Sequence, residues 1–257
     1  MRQTTQYMLL WLEGPLQSWG GDSKFGVRDT LNFPTRSGIL GLICCARGAA
    51  GPEVEWLAEM NNLPMEVRAY ARTDKEGQPL LREPTLCDFQ MVGSGYDDSD
   101  PWQSLLIPKT SDGKKAVGGG TKMTYRHYLQ DAVFAVVMGL GSQQAESLPE
   151  ALQNPVWDLY LGRKSCVPSE LIYQGIYDSA EAAWQQARTL AESKRRTLSY
   201  RVIEGEGDGD VITLNDVPVQ FGRHKRYRDR QVTVLECGKW PRGRGCLSKL
   251  PANSCLR

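Results

Sequence analysis

Gly14-Pro-Leu-Gln-Ser-Trp-Gly-Gly21, followed by Phe33-Pro-Thr-Arg-Ser-Gly-Ile-Leu-Gly-Leu-Ile43, decides how this chain is read. The apolar run Gln6 to Leu12 before it is short and ends at Gly14-Pro15, which marks a buried strand. Ser37 to Ala46 after it reads as a helix, capped by Thr35 or Ser37, with Gly48 near its end. Gly38 and Gly41 weaken that helix unless a strand or ligand packs close to it. A strand–loop–helix unit thus gathers a helix N-terminus, Arg36, hydroxyls and Trp19 at one end. Backbone N–H groups at such a terminus favour anions, phosphate above all. The loop has no Gly-Lys-Ser/Thr at the helix start and no Gly-x-Gly-x-x-Gly in register, so a nucleotide triphosphate is disfavoured. The backbone of a nucleic acid is the better candidate. Trp19 between Ser18 and Gly20 reads either as an accessible stacking group or as a core residue.

Further along, Glu53 to Asn61 is a short amphipathic helix, and Met65 to Thr73 alternates with the period of a half-exposed strand. Residues 74 to 124 change character, with scattered prolines and Gly118-Gly119-Gly120. A structureless connection of this size is improbable inside a compact domain, which predicts a projecting arm. That arm carries Lys109, Lys114, Lys115 and Lys122 with Phe89, Tyr96 and Trp102, anchors for a partner or a base. Leu129 to Met138 is a buried strand, Gln143 to Gln153 a helix, Tyr160 to Cys166 a basic turn and Leu171 to Tyr177 a strand. Asp178 to Ser193 is a helix whose Ala180, Ala183, Trp184, Ala187 and Leu190 share a face. Strands follow at Thr197 to Ile203, Val211 to Val219 and Gln231 to Glu236.

With the arm set aside, the order through residue 177 is βαββαβ, that of an α+β ferredoxin-like sheet with helices on one face. The domain division follows: 1–177 with the arm at about 78–124, a helix and strands at 178–236, and a basic tail at 237–257.

The chain has 257 residues, 40% hydrophobic and 24% charged, ordinary for a globular protein. The apolar stretch Ala132 to Leu140 is too short for a membrane span, and the N-terminus lacks a long apolar signal region. These features predict a cytoplasmic protein with no membrane partner. Seven cysteines without a Cys-x-x-Cys pair, and only two histidines, give little support to zinc. Cys237, Cys246 and Cys255 are the weak exception, and no cofactor is expected. Net charge is +1, but residues 220–257 hold ten Lys/Arg against two Asp/Glu, leaving 21 against 28 in the first 219. Arg223-His-Lys-Arg-Tyr-Arg-Asp-Arg230 is the densest basic stretch, either a solvated strand end or a nucleic-acid or partner contact.

Strand alternation puts Lys122, Thr124, Arg126 and Tyr128 on one side, either a phosphate-contacting edge or a solvated strand edge with cationic gatekeepers, and Met123, Tyr125, His127 and Leu129 on the other. Arg163-Lys164-Ser165 beside Gly162 has the cations, hydroxyl and flexibility of a backbone-tracking loop, or is simply an exposed turn. His127 with Lys122 or Tyr125 is the best candidate for metal-free ribonuclease chemistry, although alternation separates His127 from Lys122.

GPLQSWG, FPTRSGILGLI, TKMTYRHYLQDA and YLGRKSC, in this order, resemble the CasD-type, RAMP-superfamily subunits of type I-E CRISPR Cascade complexes. The likeness covers residues 6 to 177 well and the remainder loosely. It implies a ferredoxin-like (RRM-like) RAMP domain with a protruding thumb and a C-terminal β-rich extension. It implies a noncatalytic, antiviral role: holding the 5′ handle of the guide crRNA, touching a CasC-type backbone subunit and a CasA-type large subunit, and meeting target DNA through the assembled complex. Guide processing there belongs to CasE. In a different subtype the corresponding subunit is the nuclease, which keeps a metal-independent endoribonuclease as the alternative. The RNA contacts implied are Ser18, Trp19, Arg36, Ser37, Thr124, Arg126, Arg163 and Lys164, and Lys122 joins them from the strand pattern. Residues 237 to 257 have no counterpart in the resemblance.

Overall fold

The structure, a computed structural model, describes residues 5–21, 23, 26–92, 99–105, 109–110, 112–114 and 122–237. The elements are β1 (Gln6–Glu13), β2 (Leu16–Gln17), β3 (Val27–Arg28), α1 (Arg36–Arg47), α2 (Val54–Asn61), β4 (Met65–Arg72), β5 (Leu86–Val92) and α3 (Pro101–Leu105). After them come β6 (Lys122–Gln130), β7 (Val133–Leu140), α4 (Ser142–Gln153), β8 (Tyr173–Tyr177), α5 (Ala180–Ser193), β9 (Arg196–Glu204), β10 (Asp210–Gln220) and β11 (Arg226–Glu236).

Seven strands form one antiparallel sheet in the order β10-β11-β9-β4-β7-β1-β8. The protein is therefore a mixed α+β fold built on a large antiparallel sheet. β1 and β7 lie deep in it, in register from Gln6 opposite Leu140 to Glu13 opposite Val133. Their runs are almost continuously apolar because both faces are covered. Met8, Leu10 and Leu12 pack with Val136 and Met138 under α1, α2 and α4, whereas Leu9 and Trp11 pack with Ala135 and Val137 under α5. The expected single layer of helices thus holds for α1, α2 and α4, and α5 covers the opposite face.

Helix α1 starts at Thr35, whose Oγ1 accepts the Gly38 N–H at 3.1 Å, and ends at Gly48 in the left-handed conformation (φ +68°). A second, smaller sheet has β6 at its centre, paired with β2, β3 and β5. The sequence reading of one strand across 129–138 is corrected here. Asp131 adopts φ +47° and ends β6, its N–H donating to Pro15 O at 3.0 Å and its carboxylate holding Arg72 and Arg196. β11 begins at Arg226, five residues earlier than expected, because pairing with β10 organises the basic stretch as strand. Tyr96, Lys115, Gly118-Gly119-Gly120, Cys246, Cys255 and the tail from 238 onward lie outside the described residues.

Candidate nucleic-acid interface

The 14–21 loop is a buried junction. Gln17 is fully buried; its amide donates to Leu12 O at 3.0 Å and Ala132 O at 2.7 Å, and its Oε1 accepts the Trp19 indole N–H at 3.0 Å. Trp19 N donates to Thr30 Oγ1 and Trp19 O accepts from Leu31 N. The indole lies over the first turn of α1, so close that a Cβ on Gly38 would sit 2.9 Å from the ring. Gly38 is there to admit Trp19. Only 1% of Trp19 is exposed, so the reading of this residue as a stacking or wedging RNA contact is corrected: it is core.

Arg36 is a second correction. Its residue is also 1% exposed. The guanidinium donates to Met60 O at 3.0 Å and Leu63 O at 2.9 Å and pairs with Glu204, while the backbone N–H donates to Asp216 Oδ2 at 2.8 Å. Arg230 binds the same two carboxylates, Asp216 at 2.7 Å and Glu204 at 3.1 Å. Burial pushes the Arg36 guanidinium below its usual value and Glu204 opposes that push. The α1 N-terminus is thus closed by Asp216, and Arg36 ties α1 to the far strands of the large sheet. No phosphate can reach it.

Three other segments do converge. Ser18 N donates to Leu161 O at 3.1 Å and Ser18 Oγ to His127 O at 3.1 Å, leaving Ser18 only 2% exposed as a positioning residue. Gly162 (φ +91°) lets the 160–166 turn press on this loop, since a Cβ there would fall 1.8 Å from Ser18 O. Arg163 then reaches over the junction. It donates to His127 O at 3.3 Å and Arg28 O at 2.9 Å, and its guanidinium lies 4.7 Å from the Tyr128 ring centre. Burial pushes the Tyr128 hydroxyl up, but hydrogen bonds with Ser165, Arg163 and Arg126 outweigh it and bring the net value below that of an ordinary phenol. Lys164 and Ser165 are exposed beside this group.

Arg28, which the sequence reading missed, is exposed on β3 and stands in parallel register with Arg126 on β6. Nothing in the local sequence marks it, because β3 is only two residues long and the parallel pairing is purely tertiary. Among the described residues, Arg28, Arg126 and Lys164 make no ion pair with a carboxylate. Arg126 is half-buried, as is Thr124, whose buried Oγ1 has no hydrogen-bond partner among the described residues. Ser37 sits apart at the start of α1, its Oγ 3.3 Å from Thr35 Oγ1. Lys122 occupies the first position of β6. His127 lies on the side of β6 away from Arg126, with Nδ1 3.8 Å from Asp29 Oδ1. Among the described residues no group of three His, Cys, Asp or Glu could hold a metal ion, and no helix is long and apolar enough to cross a membrane.

A large antiparallel sheet with helices on both faces, and a basic turn clasped to a small second sheet, define the class of protein. A family model for CRISPR-associated proteins, Cas5, matches residues 7–233. The chain belongs to the Cas5 family. It is 29% identical over 232 residues to the CRISPR system Cascade subunit CasD of Escherichia coli (strain K12), covering 89% of each chain. A chain in a solved CRISPR RNA-guided surveillance complex is 30% identical with a TM-score of 0.64, covering 90% of this chain and 89% of that one. A crystal structure of a Cas protein is 25% identical with a TM-score of 0.55, covering 90% and 94%.

Proposed function

We propose that this chain is a noncatalytic RNA-binding subunit of a cytoplasmic CRISPR Cascade complex that holds the 5′ handle of the guide RNA through Arg28, Arg126, Arg163 and Lys164. The observation that carries the reading is the pairing of Arg28 with Arg126 across adjacent strands, with Arg163 and Lys164 beside them. Arg28 and Arg126 stand side by side, with Asp88 opposite Arg126 on β5, and a bound phosphodiester backbone gives these guanidiniums charge-assisted hydrogen bonds, for which arginine forks suit phosphate best. The strand order β4-β7-β1-β8, with α1 in the first connection and α4 in the second, supports a ferredoxin-like RAMP core. On this reading the segment around β5 and β6 is the thumb. Its exposed Phe89, Met91, Met123 and Trp102 face a CasC-type or CasA-type neighbour, and target DNA is met through the assembled complex.

His127 supports the noncatalytic role: its ring faces Asp29 on the side of β6 away from Arg126. The test is assembly with the neighbouring subunits on a guide with or without its 5′ handle. Handle-dependent assembly, lost in the Arg126→Gln/Lys164→Gln double variant, is expected. Equal assembly on both guides refutes the handle-binding role. Cleavage of repeat RNA in EDTA that disappears in His127→Ala would establish the nuclease instead.

A further inference from the structure

The densest basic stretch of the sequence is not used by the interface above, and the structure gives it a definite form. β9 pairs with β11 only from Val232 to Glu236. The first part of β11, from Arg226, is joined to β10 alone, so the sheet extends there as a two-stranded ribbon. Its turn, with Gly222 at φ +80°, carries Arg223, His224 and Lys225, all exposed, and Arg226 and Arg228 follow, also exposed. Alternation puts Arg226 and Arg228 on the side that, further along, turns Arg230 toward Asp216 and buries Val232 and Val234. The cations therefore begin where the core ends.

Nearby carboxylates do not neutralise this ribbon. Asp229 falls on the opposite side of β11 and accepts from Asn215 Nδ2 at 2.6 Å. Arg223 meets Asp112 at 3.6 Å with both side chains about 70% exposed, a contact worth little in water. Arg226 donates to the neutral Gln220 Oε1 at 3.0 Å. Among the described residues Lys225, Arg226 and Arg228 have no carboxylate partner. The ribbon is also held firmly. Phe221 N donates to Pro52 O at 2.9 Å, and Asn61 Nδ2 donates to Pro218 O at 2.7 Å, anchoring the turn to the start and end of the α2 region. The Arg223–Asp112 contact brings exposed Lys114 into the neighbourhood from the arm. No hydrogen bond or ion pair among the described residues links these cations to Arg28, Arg126 or Lys164.

We propose that the turn and first strand positions of the β10–β11 ribbon form a second nucleic-acid site, one that takes a phosphodiester backbone without reading bases. Tyr227 is half-buried against the protein and the exposed ring in the turn is His224, so cations rather than stacking aromatics dominate this surface. A firmly held set of three cations without carboxylate partners, Lys225, Arg226 and Arg228, favours backbone neutralisation with counterion release, a sequence-independent term. This site stands apart from the handle-binding reading and does not depend on it.

The experiment is fluorescence anisotropy of the full chain with labelled duplex DNA and, separately, labelled unstructured single-stranded RNA, between about 50 and 200 mM salt. The Lys225→Gln/Arg226→Gln/Arg228→Gln variant is expected to reduce the salt-dependence slope by about 2 to 3 on the preferred probe. Arg226→Lys/Arg228→Lys should keep the wild-type slope, because charge and not fork geometry is what the site supplies. Loss confined to duplex DNA assigns the backbone to DNA, and loss confined to the RNA assigns it to RNA. A triple variant that melts like the wild type and keeps its slope on both probes overturns the proposal, as does a wild type without salt-dependent binding to either. Arg126→Gln/Lys164→Gln measured alongside keeps failure at the handle interface distinguishable from failure here.

Discussion

Trp19→Ala separates the two roles a loop tryptophan can have. The indole is 1% exposed, lies on the Gly38 turn of α1 and donates to Gln17 Oε1. Truncating a buried Trp costs about 3–5 kcal/mol in lost transfer energy and cavity. Gln17 Oε1 would also lose its donor within a fully buried residue, adding about 1–3 kcal/mol. Domain stability is about 5–15 kcal/mol, so the total is a large fraction of it. With a urea m-value of about 3 kcal/mol/M, the midpoint should fall by more than about 1 M. Trp19→Phe keeps most of the packing and loses the N–H, and its fall should be less than half as large. Urea denaturation followed by far-UV circular dichroism gives both numbers. An exposed wedge residue would instead cost within about 0.5 kcal/mol on truncation. A Trp19→Ala midpoint that stays at the wild-type value would therefore refute the assignment of this side chain to the core.

Four further outcomes are expected. Arg36→Met leaves the Met60 and Leu63 carbonyls without their donor and Glu204 with Arg230 alone; at about 1–3 kcal/mol for an orphaned buried acceptor, the urea midpoint should fall clearly. Gly162→Ala forces a side chain into φ +91° and onto Ser18 O, so thermal melting should drop sharply, while Gly20→Ala, with open space around it, should be close to neutral. Arg126→Gln and Lys164→Gln should each lower the salt slope of guide-RNA binding by about 1 with melting unchanged. Burial pushes the Cys44 thiol up to about 12, so its stabilising effect is complete below the unfolded thiol value and fades as pH rises toward 12. Cys44 should therefore resist alkylation in the native state at mildly alkaline pH and react on unfolding, which mass spectrometry of alkylated peptides reads directly.

Periodicity made most elements legible. The helix at 37–46, its Thr35 cap and its Gly48 stop, and the strands at 6–12 and 65–73 follow from local pattern and capping chemistry. The close approach inferred from Gly38 is the Trp19 ring, whereas nothing packs at Gly41. The junction of the 14–21 loop, β6 and the 160–166 turn was also visible as three motifs with related chemistry. What local pattern could not supply was direction. Arg36 and Arg163 are both arginines next to a glycine or serine in a turn. One is drawn into Glu204 and two backbone carbonyls, the other caps His127 and Arg28 at the surface.

The sequence alone determined most of the main helices and strands, the family likeness and the places where charge accumulates, because these depend on residues close together along the chain. Only the tertiary structure decided that Trp19 and Arg36 face inward, that Arg28 stands beside Arg126, and that the 226–230 stretch is a ribbon rather than a loose end. Those outcomes turn on partners distant in the chain, such as Glu204 for Arg36 and β6 for Arg28. A side chain's exposure is set by whatever packs against it, and that information is not local.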